Sequence, residues 1–201
     1  MHPGAIVLCG GRSTRMGRDK ATLPFGPESL LQRVVRLLST VVDAGDIVVV
    51  AAADQILPTL PVEVVVARDL QPERGPLEGL ASGLAALPGR VDAVYATSCD
   101  VPLLEPAFVR RMFDLLGDSA IAVPRDGEYH HPLAAVYRPS VLTAVQQLLA
   151  EDRLRPRFLF DLVPTRDVSV DDLEDVDPER HTLMNLNRPE DYEAALRIAG
   201  L

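Results

Sequence analysis

The chain alternates short apolar, β-branched runs with segments whose apolar residues recur at helical spacing, and this alternation limits the possible folds more than any other feature. Runs such as "DIVVVAA" (46–52) and "VEVVVA" (62–67) are apolar almost throughout, which is typical of strands covered on both faces. The predicted strands cover residues 5–9, 46–52, 62–67, 92–99, 120–124 and 132–138. The predicted helices cover residues 29–42, 75–87, 106–116, 139–151 and 188–200.

This order of elements predicts an α/β fold, a three-layer α/β/α sandwich with a mainly parallel, Rossmann-like sheet in a single domain over residues 1–201. Sheets of this kind bind ligands outside the carboxyl ends of their strands, at the point where the strand order reverses. The loops after the first four predicted strands are therefore where we expect the site. The acidic stretch 167–179 is expected to be a solvated connection.

Composition narrows the classes of function. A formal net charge of −9 repels polyanions, so nucleic acid is not expected as a partner. No apolar run approaches the roughly 18–20 residues of a membrane span, and the N-terminus has no basic leader before its short apolar run. We therefore expect a cytoplasmic protein. Cys9 and Cys99 match no zinc or CxxC spacing and are expected to be buried free thiols.

The loop after the first strand concentrates positive charge in an otherwise acidic chain. Its paired glycines let backbone N–H groups approach a ligand closely, and a concave row of such amides suits phosphate oxygens. Arginine and lysine side chains in the same loop can neutralise a polyphosphate. The residues concerned are Gly10, Gly11, Arg12, Arg15, Arg18 and Lys20.

Two common nucleotide motifs are absent from this loop. A P-loop needs G-x-x-x-x-G-K-[ST], but Gly11 and Gly17 are too far apart and Ala21 follows Lys20 where Ser or Thr is required. The stretch "GGRSTRMG" does not match the dinucleotide fingerprint G-x-G-x-x-G either.

The loop instead resembles the signature of the molybdenum cofactor guanylyltransferases, the MobA family of GT-A-like nucleotidyltransferases. "LCGGRSTRMGRDKATLPF" is similar to the family's L-A-G-G-x-S-x-R-M-G-x-D-K-x-x-x-x-F pattern, with Cys9 in place of the usual Ala. Later family landmarks follow in the expected order along nearly the whole chain. They are "RDLQPERGPLEGLASGL" (68–84), "SCDVPLL" (98–104), "HPLAAVYR" (131–138) and "NLNRPEDY" (185–192).

The resemblance implies transfer of GMP from Mg-GTP to the terminal phosphate of molybdopterin, with release of pyrophosphate. It places Lys20, Asp100 and Arg15 in the catalytic site. The nucleotide-binding residues that it implies are Leu8, Cys9, Gly10, Gly11, Lys20, Asp69, Gly75 and Asp100. No protein nucleophile is needed, because the acceptor is already an anion at neutral pH; positioning and charge neutralisation can supply most of the acceleration.

The resemblance also implies a Mg²⁺ cofactor held by Asp100, with Asn187 as a second candidate oxygen ligand. Asp100 ends a predicted buried strand, where a hard oxygen ligand can hold Mg²⁺ together with phosphate oxygens. His131 and Asn185 are the candidate contacts to the acceptor. The implied partners are GTP and molybdopterin or molybdenum cofactor, with molybdenum-insertion proteins or apo-molybdoenzymes as protein partners.

Several alternatives stay open at this stage. Guanylyltransferases of this family tend to carry an Asn soon after the second strand, whereas this chain has Ala51 to Ala53, so Asp54 or Gln55 would have to substitute. A cytidylyltransferase relative is the main competitor, and a non-catalytic nucleotide-binding subunit is another class. The glycines of "GPLEGLASGL" either lie against the nucleoside, as in the family, or let a helix pack tightly on the sheet.

Overall fold

The computed structural model describes residues 1–9, 19–69 and 74–201. Its strands within these residues are β1 (Pro3–Leu8), β2 (Pro24–Phe25), β3 (Glu28–Ser29), β4 (Ile47–Ala52), β5 (Val65–Asp69), β6 (Ala93–Ser98), β7 (Ile121–Asp126), β8 (Tyr129–His130), β9 (Ala135–Tyr137) and β10 (Thr165–Ser169). Its α-helices are α1 (Leu30–Leu38), α2 (Pro76–Ala86), α3 (Pro106–Leu115), α4 (Leu142–Ala150), α5 (Arg157–Phe160) and α6 (Pro189–Ile198).

The main sheet has the strand order β10-β7-β9-β6-β1-β4-β5, and β8 pairs with β7 at its end. The pairs β1–β4, β1–β6, β4–β5 and β7–β10 are parallel, while β9 runs antiparallel to both β6 and β7. The chain moves from β1 outward to β4 and β5 and then returns to place β6 on the other side of β1. The strand order therefore reverses at β1, which confirms the predicted mainly parallel sheet.

Alternate residues of the central strands enter two separate cores, one on each face of the sheet. Ala5 and Val7 of β1 belong to the core covered by α1 and α3, whereas Ile6 and Leu8 belong to the core covered by α2 and α4. A smaller third cluster joins the β2–β3 hairpin to α6. The helices thus lie on both faces of the sheet, and the predicted three-layer α/β/α arrangement is confirmed.

The first helix shows why these segments fold as they do. Ser29 accepts a hydrogen bond from the backbone N–H of Gln32, and the Gln32 side chain accepts one from the Ser29 N–H, which forms a capping box. Four buried residues of α1 recur at helical spacing and enter the core shared with α3; they are Leu31, Val34, Val35 and Leu38. Leu30, at the start of the helix, belongs to the third cluster. The helix ends at Leu38, four residues before the predicted end, because the following residues form turns.

Other predicted segments also differ from the structure. Residues 167–179 are not wholly a solvated connection, because β10 pairs in parallel with β7 and a 3₁₀ helix over Val170–Leu173 follows it. The side chains of Val168 and Leu173 are buried. The strand predicted over 62–67 begins only at Val65, since a turn closes from Pro61 to Val64.

No helix of the described residues combines the length and the apolar character needed to cross a bilayer. Cys9 and Cys99 are buried free thiols, as predicted. Two effects raise the pKa of the Cys9 thiol: the larger is a hydrogen bond with the Cys99 thiol, and the second is burial. Cys9 is therefore a neutral side chain at the end of β1.

Candidate active site

The carboxyl ends of β1 and β6 lie side by side at the point where the strand order reverses. Leu8 pairs with Ser98 in the parallel ladder, and the backbone N–H of Cys99 donates to the carbonyl of Leu8 at 3.0 Å. Cys9 directly follows β1, and Cys99 and Asp100 are the first two residues after β6, so these residues emerge at one edge of the sheet. This edge is where α/β sheets of this type hold their ligands.

Lys20 and Asp100, which the sequence analysis placed in the catalytic site, meet at this edge. Lys20 Nζ lies 2.6 Å from Asp100 Oδ2, and the two side chains are only 19% and 13% exposed. The hydroxyl of Ser98 donates to the other carboxylate oxygen of Asp100. Asp100 is thus a partly enclosed carboxylate whose charge is compensated by one ammonium group.

The segment before α6 completes the cluster. The backbone N–H of Leu186 donates to the carbonyl of Asp100 at 3.0 Å, and Lys20 Nζ donates to Asn187 Oδ1 at 3.4 Å. Asp191, in the first turn of α6, accepts from the backbone N–H of Asn187 at 2.9 Å and so holds this residue in place. Asn185, predicted to contact the acceptor, is exposed in the same segment.

The oxygen atoms in and around the Asp100 side chain are suitable ligands for a magnesium ion. The Asp100 carboxylate, the Ser98 hydroxyl and the Asn187 amide offer oxygen atoms, which are the ligands that Mg²⁺ prefers. Ser98 did not emerge from the sequence analysis; its signal is its place two residues before Asp100 at the end of a buried strand.

A second group of possible metal ligands lies at the opposite edge of the sheet. His2, Asp43 and Asp46 offer ligand atoms within 4.8 Å of one another, and His2 and Asp46 precede the amino ends of β1 and β4. The buried Asp46 carboxylate has His2 Nε2 at 2.7 Å and an Arg90 guanidinium nitrogen at 2.7 Å. This cluster is remote from Asp100, and Arg90 already compensates its buried charge.

Asp19 and Gln55 form a polar junction beside Lys20. Asp19 caps the 3₁₀ helix Lys20–Thr22 by accepting from the Ala21 N–H at 2.9 Å. The Gln55 amide nitrogen donates to both Asp19 carboxylate oxygens, at 3.0 and 2.9 Å, and to the Cys9 carbonyl at 3.1 Å. The expectation that Gln55 replaces the family's nucleotide-contacting Asn is thereby weakened, because its amide is engaged within the protein.

Arg33 on α1 contacts the loop that follows Asp100. Its Nε donates to the Pro102 carbonyl at 2.6 Å and its guanidinium lies 4.8 Å from the centre of the Phe25 ring. The loop that follows Asp100 is therefore fixed from α1.

The remaining predicted nucleotide-binding residues lie in different surroundings. Leu8 ends β1 and is 8% exposed, while Asp69 is half-buried at the end of β5, where it pairs with Ala52. Gly75 is exposed and is the N-cap residue just before α2, with a φ of +78°, a conformation that favours glycine. Gly10, Gly11, Arg12, Arg15 and Arg18 lie outside the described residues.

The glycines within α2 have a packing role. A Cβ on Gly83 would lie 2.6 Å from Ile6 Cγ2, and one on Gly79 would lie 3.1 Å from Leu8 Cδ2. Of the two interpretations left open by the sequence, close packing of the helix on β1 accounts for these two positions. Gly75 differs, because nothing lies within 4 Å of the place where its Cβ would be.

His131 lies on the same edge of the sheet, beyond the start of β9. Ala135 of β9 pairs with Ala96 of β6, so the chain before Ala135 extends toward the carboxyl end of β6. His131 Nε2 is buried without a hydrogen-bond partner among the described residues, and burial lowers the pKa of this histidine. His130, in contrast, has Asp167 Oδ1 at 3.0 Å from its Nε2.

Comparison with known proteins agrees with this geometry. Residues 5–165 match the MobA-like NTP transferase domain family. A probable molybdenum cofactor guanylyltransferase of Carboxydothermus hydrogenoformans is 32% identical over 200 residues, covering 97% of this chain and 95% of the relative. One of Mycobacterium avium is 35% identical over 200 residues, covering 96% of this chain and 95% of the relative.

Solved structures share the fold at lower identity. Molybdopterin-guanine dinucleotide biosynthesis protein A from Archaeoglobus fulgidus superposes with a TM-score of 0.79 at 18% identity, over 100% of this chain and 99% of that one. The 2-C-methyl-D-erythritol 4-phosphate cytidylyltransferase of Thermus thermophilus superposes with a TM-score of 0.69 at 15% identity, over 98% of both chains. The fold is therefore that of the GT-A-like nucleotidyltransferases.

Proposed function

The chain belongs to the MobA-like NTP transferase family, and from this premise we propose that it transfers GMP from GTP to the terminal phosphate of molybdopterin. The products are molybdopterin guanine dinucleotide and pyrophosphate. The observation that carries the proposal is the meeting of Lys20, Asp100 and Asn187 at the sheet edge where the strand order reverses.

The reaction requires the protein to position the two substrates and to neutralise the charge of their phosphates. An oxygen of the molybdopterin phosphate forms a bond to the α-phosphorus of GTP, while the bond from that phosphorus to the oxygen bridging to the β-phosphorus breaks. The electron pair leaves with pyrophosphate. No proton needs to be taken from the attacking oxygen, which is anionic at neutral pH, so the reaction needs no nucleophile-and-base pair from the protein.

Asp100 and Asn187 are the residues that would hold Mg²⁺, which when bound neutralises and polarises phosphoryl oxygens. Ser98 orients the Asp100 carboxylate by donating to one of its oxygens. The Lys20 ammonium lies within hydrogen-bond distance of both proposed ligands and is the described cation best placed to meet a triphosphate there. Arg15, Gly10 and Gly11 would extend this phosphate-binding surface.

His131 and Asn185 are our proposed acceptor contacts. His131 presents a neutral ring whose Nε2 lacks a partner among the described residues, and a bound molybdopterin phosphate or pterin group could supply one. Molybdenum-insertion proteins or apo-molybdoenzymes are the proposed protein partners, and a cytoplasmic location stays a prediction.

A cytidylyltransferase activity is the second candidate, favoured by one specific observation. Residues 51–53 are alanines, and the neighbouring Gln55 amide is occupied by Asp19 and Cys9. The test incubates the purified protein with Mg²⁺, molybdopterin and either GTP or CTP, and measures pyrophosphate and the dinucleotide product. Product with GTP supports the proposal, whereas product only with CTP favours the second candidate.

A further inference from the structure

The side chain of Gln55 satisfies nearly all of its hydrogen-bonding capacity within the protein. Its Oε1 accepts from the Ala52 N–H at 3.1 Å, and its Nε2 donates to the Cys9 carbonyl and to the Asp19 carboxylate. One uncharged amide thus joins the carboxyl ends of β1 and β4 to the residue that precedes Lys20.

Asp19 connects the Gln55 side chain to the backbone of Lys20. Its carboxylate caps the 3₁₀ helix that begins at Lys20, and its carbonyl accepts from the Thr22 N–H at 3.2 Å. Fixing Asp19 therefore fixes the backbone from which the Lys20 side chain extends toward Asp100. The Lys20 Nζ to Asp100 Oδ2 contact of 2.6 Å is the far end of this chain of contacts.

We infer that Gln55 is a positioning residue for the transfer reaction, which sets the place of the Lys20 ammonium by holding Asp19 against the end of β1. The inference rests on the proposed function, because nucleotidyl transfer is its main readout. Gln55 is assigned no contact with the nucleotide or the metal. It acts only through Asp19 and Lys20.

An amide suits this position better than a charged group. Asp19 and the Cys9 carbonyl both require a donor, while the Ala52 N–H requires an acceptor, and glutamine supplies both without charge. Arg68 steadies the same turn by donating to the carbonyls of Gln55 and Ala52, at 2.8 and 3.0 Å. A carboxylate at residue 55 would face the Asp19 carboxylate, and the two like charges would repel.

A double-mutant cycle between Gln55 and Lys20 tests the inference. Gln55→Met keeps the length of the side chain and removes its hydrogen bonds; kcat and KM for Mg-GTP are measured for it, for Lys20→Ala and for the double variant. We expect Gln55→Met alone to lower kcat/KM about tenfold or more, as the loss of hydrogen bonds to a charged partner would. The double variant should lie within about threefold of Lys20→Ala alone, because the two residues act as one unit.

Gln147→Met is the matched control, since Gln147 is an exposed glutamine on α4 whose amide contacts Glu151, and it should leave kcat/KM unchanged. Equal losses from Gln55→Met in the wild-type and Lys20→Ala backgrounds would show that Gln55 acts independently of Lys20 and would overturn the inference. Wild-type activity in Gln55→Met would overturn it as well.

Gln55→Glu provides a second variant if Gln55→Met does not fold. Among the described residues, the Asp19 carboxylate contacts the side chain of residue 55 and the Arg68 guanidinium contacts its backbone carbonyl. The ratio of its activity to that of wild type should fall as the pH rises and the new carboxyl ionises; a ratio that does not change with pH contradicts the inference. If wild type itself transfers no nucleotide from GTP, the proposed function fails instead. The double-mutant cycle is then repeated with another readout, the rise in melting temperature that Mg-CTP or Mg-ATP produces in wild type and in each variant.

Discussion

The ammonium nitrogen of Lys20 lies 2.6 Å from a carboxylate oxygen of Asp100, although 80 positions separate the two residues in the chain. The pair forms because the 3₁₀ helix that begins at Lys20 and the turn after β6 reach the same edge of the sheet. A cation thus compensates the proposed metal ligand in the protein alone.

Lys20→Ala should weaken both nucleotide affinity and turnover while the protein stays folded. Charge-assisted hydrogen bonds are worth roughly 1.5–3 kcal/mol, so kcat/KM for Mg-GTP should fall about tenfold to a hundredfold. Lys20→Arg should recover only part of this loss, because a planar guanidinium does not replace a compact ammonium. Steady-state kinetics on the three proteins provide the measurement, and full activity in Lys20→Ala would mean that the charge does not act on the nucleotide.

GTP with Mg²⁺ should stabilise the protein against heat more than CTP or ATP does. A ligand at 100 times its dissociation constant adds about 2.7 kcal/mol to the free energy of unfolding. Thermal shifts at matched nucleotide concentrations make the comparison. A larger shift with CTP would contradict guanine selection and support the cytidylyltransferase candidate.

Gly83→Ala should destabilise the fold without changing the affinity for GTP. The new Cβ would meet Ile6 Cγ2 at 2.6 Å, and overpacking of this kind costs about 1–3 kcal/mol, against a gain of about 1 kcal/mol in helix propensity. Gly89→Ala is the control, because nothing lies within 4 Å of its added Cβ. Urea unfolding should show the loss in Gly83→Ala alone, whereas an unchanged stability with a raised KM would assign Gly83 to nucleotide contact.

His131 should make the stability of the protein depend on pH below neutrality. Burial lowers the pKa of His131 from its ordinary value of about 6.5, with Asp126 opposing this effect and His130 adding to it. As the pH falls through that value, the unfolded chain binds a proton that the folded protein resists, so the free energy of unfolding decreases. Between pH 7.5 and 5.5, wild type should therefore lose more stability than His131→Gln, as measured by urea unfolding at each pH. Equal losses in the two proteins would show that His131 is not held neutral by the fold.

The sequence predicted the central strands well because their constraint is local. A strand buried on both faces must be largely apolar, as β4 is throughout and β6 is up to Ala96, and no distant residue changes that requirement. The edge strand β10 escaped prediction within an acidic segment, because among its five residues only Val168 is buried. An edge strand needs few apolar side chains, so its pattern resembles that of an exposed loop.

The same distinction applies to the site. Lys20 and Asp100 follow from motifs that resemble the family, and the structure brings them together. Ser98 and the Gln55–Asp19 junction could not be read from the sequence, because they depend on how the ends of β1, β4 and β6 align in register. The roles of Asp69, Gly75, Asn185 and the first-loop residues stay predictions.

Asp100→Asn tests the central claim most directly. The variant keeps the size of the side chain but removes the charge that would bind Mg²⁺, and losing about 4 kcal/mol of transition-state stabilisation slows turnover roughly a thousandfold. The side chain of Asp100 is partly exposed, and ion pairs such as the one that it forms with Lys20 contribute little to stability. An amide oxygen can also still accept from the Ser98 hydroxyl, so the variant should remain folded with only a modest change in melting temperature.

The decisive measurement is therefore GMP transfer from Mg-GTP to molybdopterin by Asp100→Asn and wild type at saturating Mg²⁺, with the melting temperature taken on the same preparations. We predict a near-native melting temperature and turnover reduced about a thousandfold. If the folded variant retains more than about a tenth of wild-type turnover, a loss below ~1.4 kcal/mol, Asp100 is not the metal ligand and the proposed site is wrong.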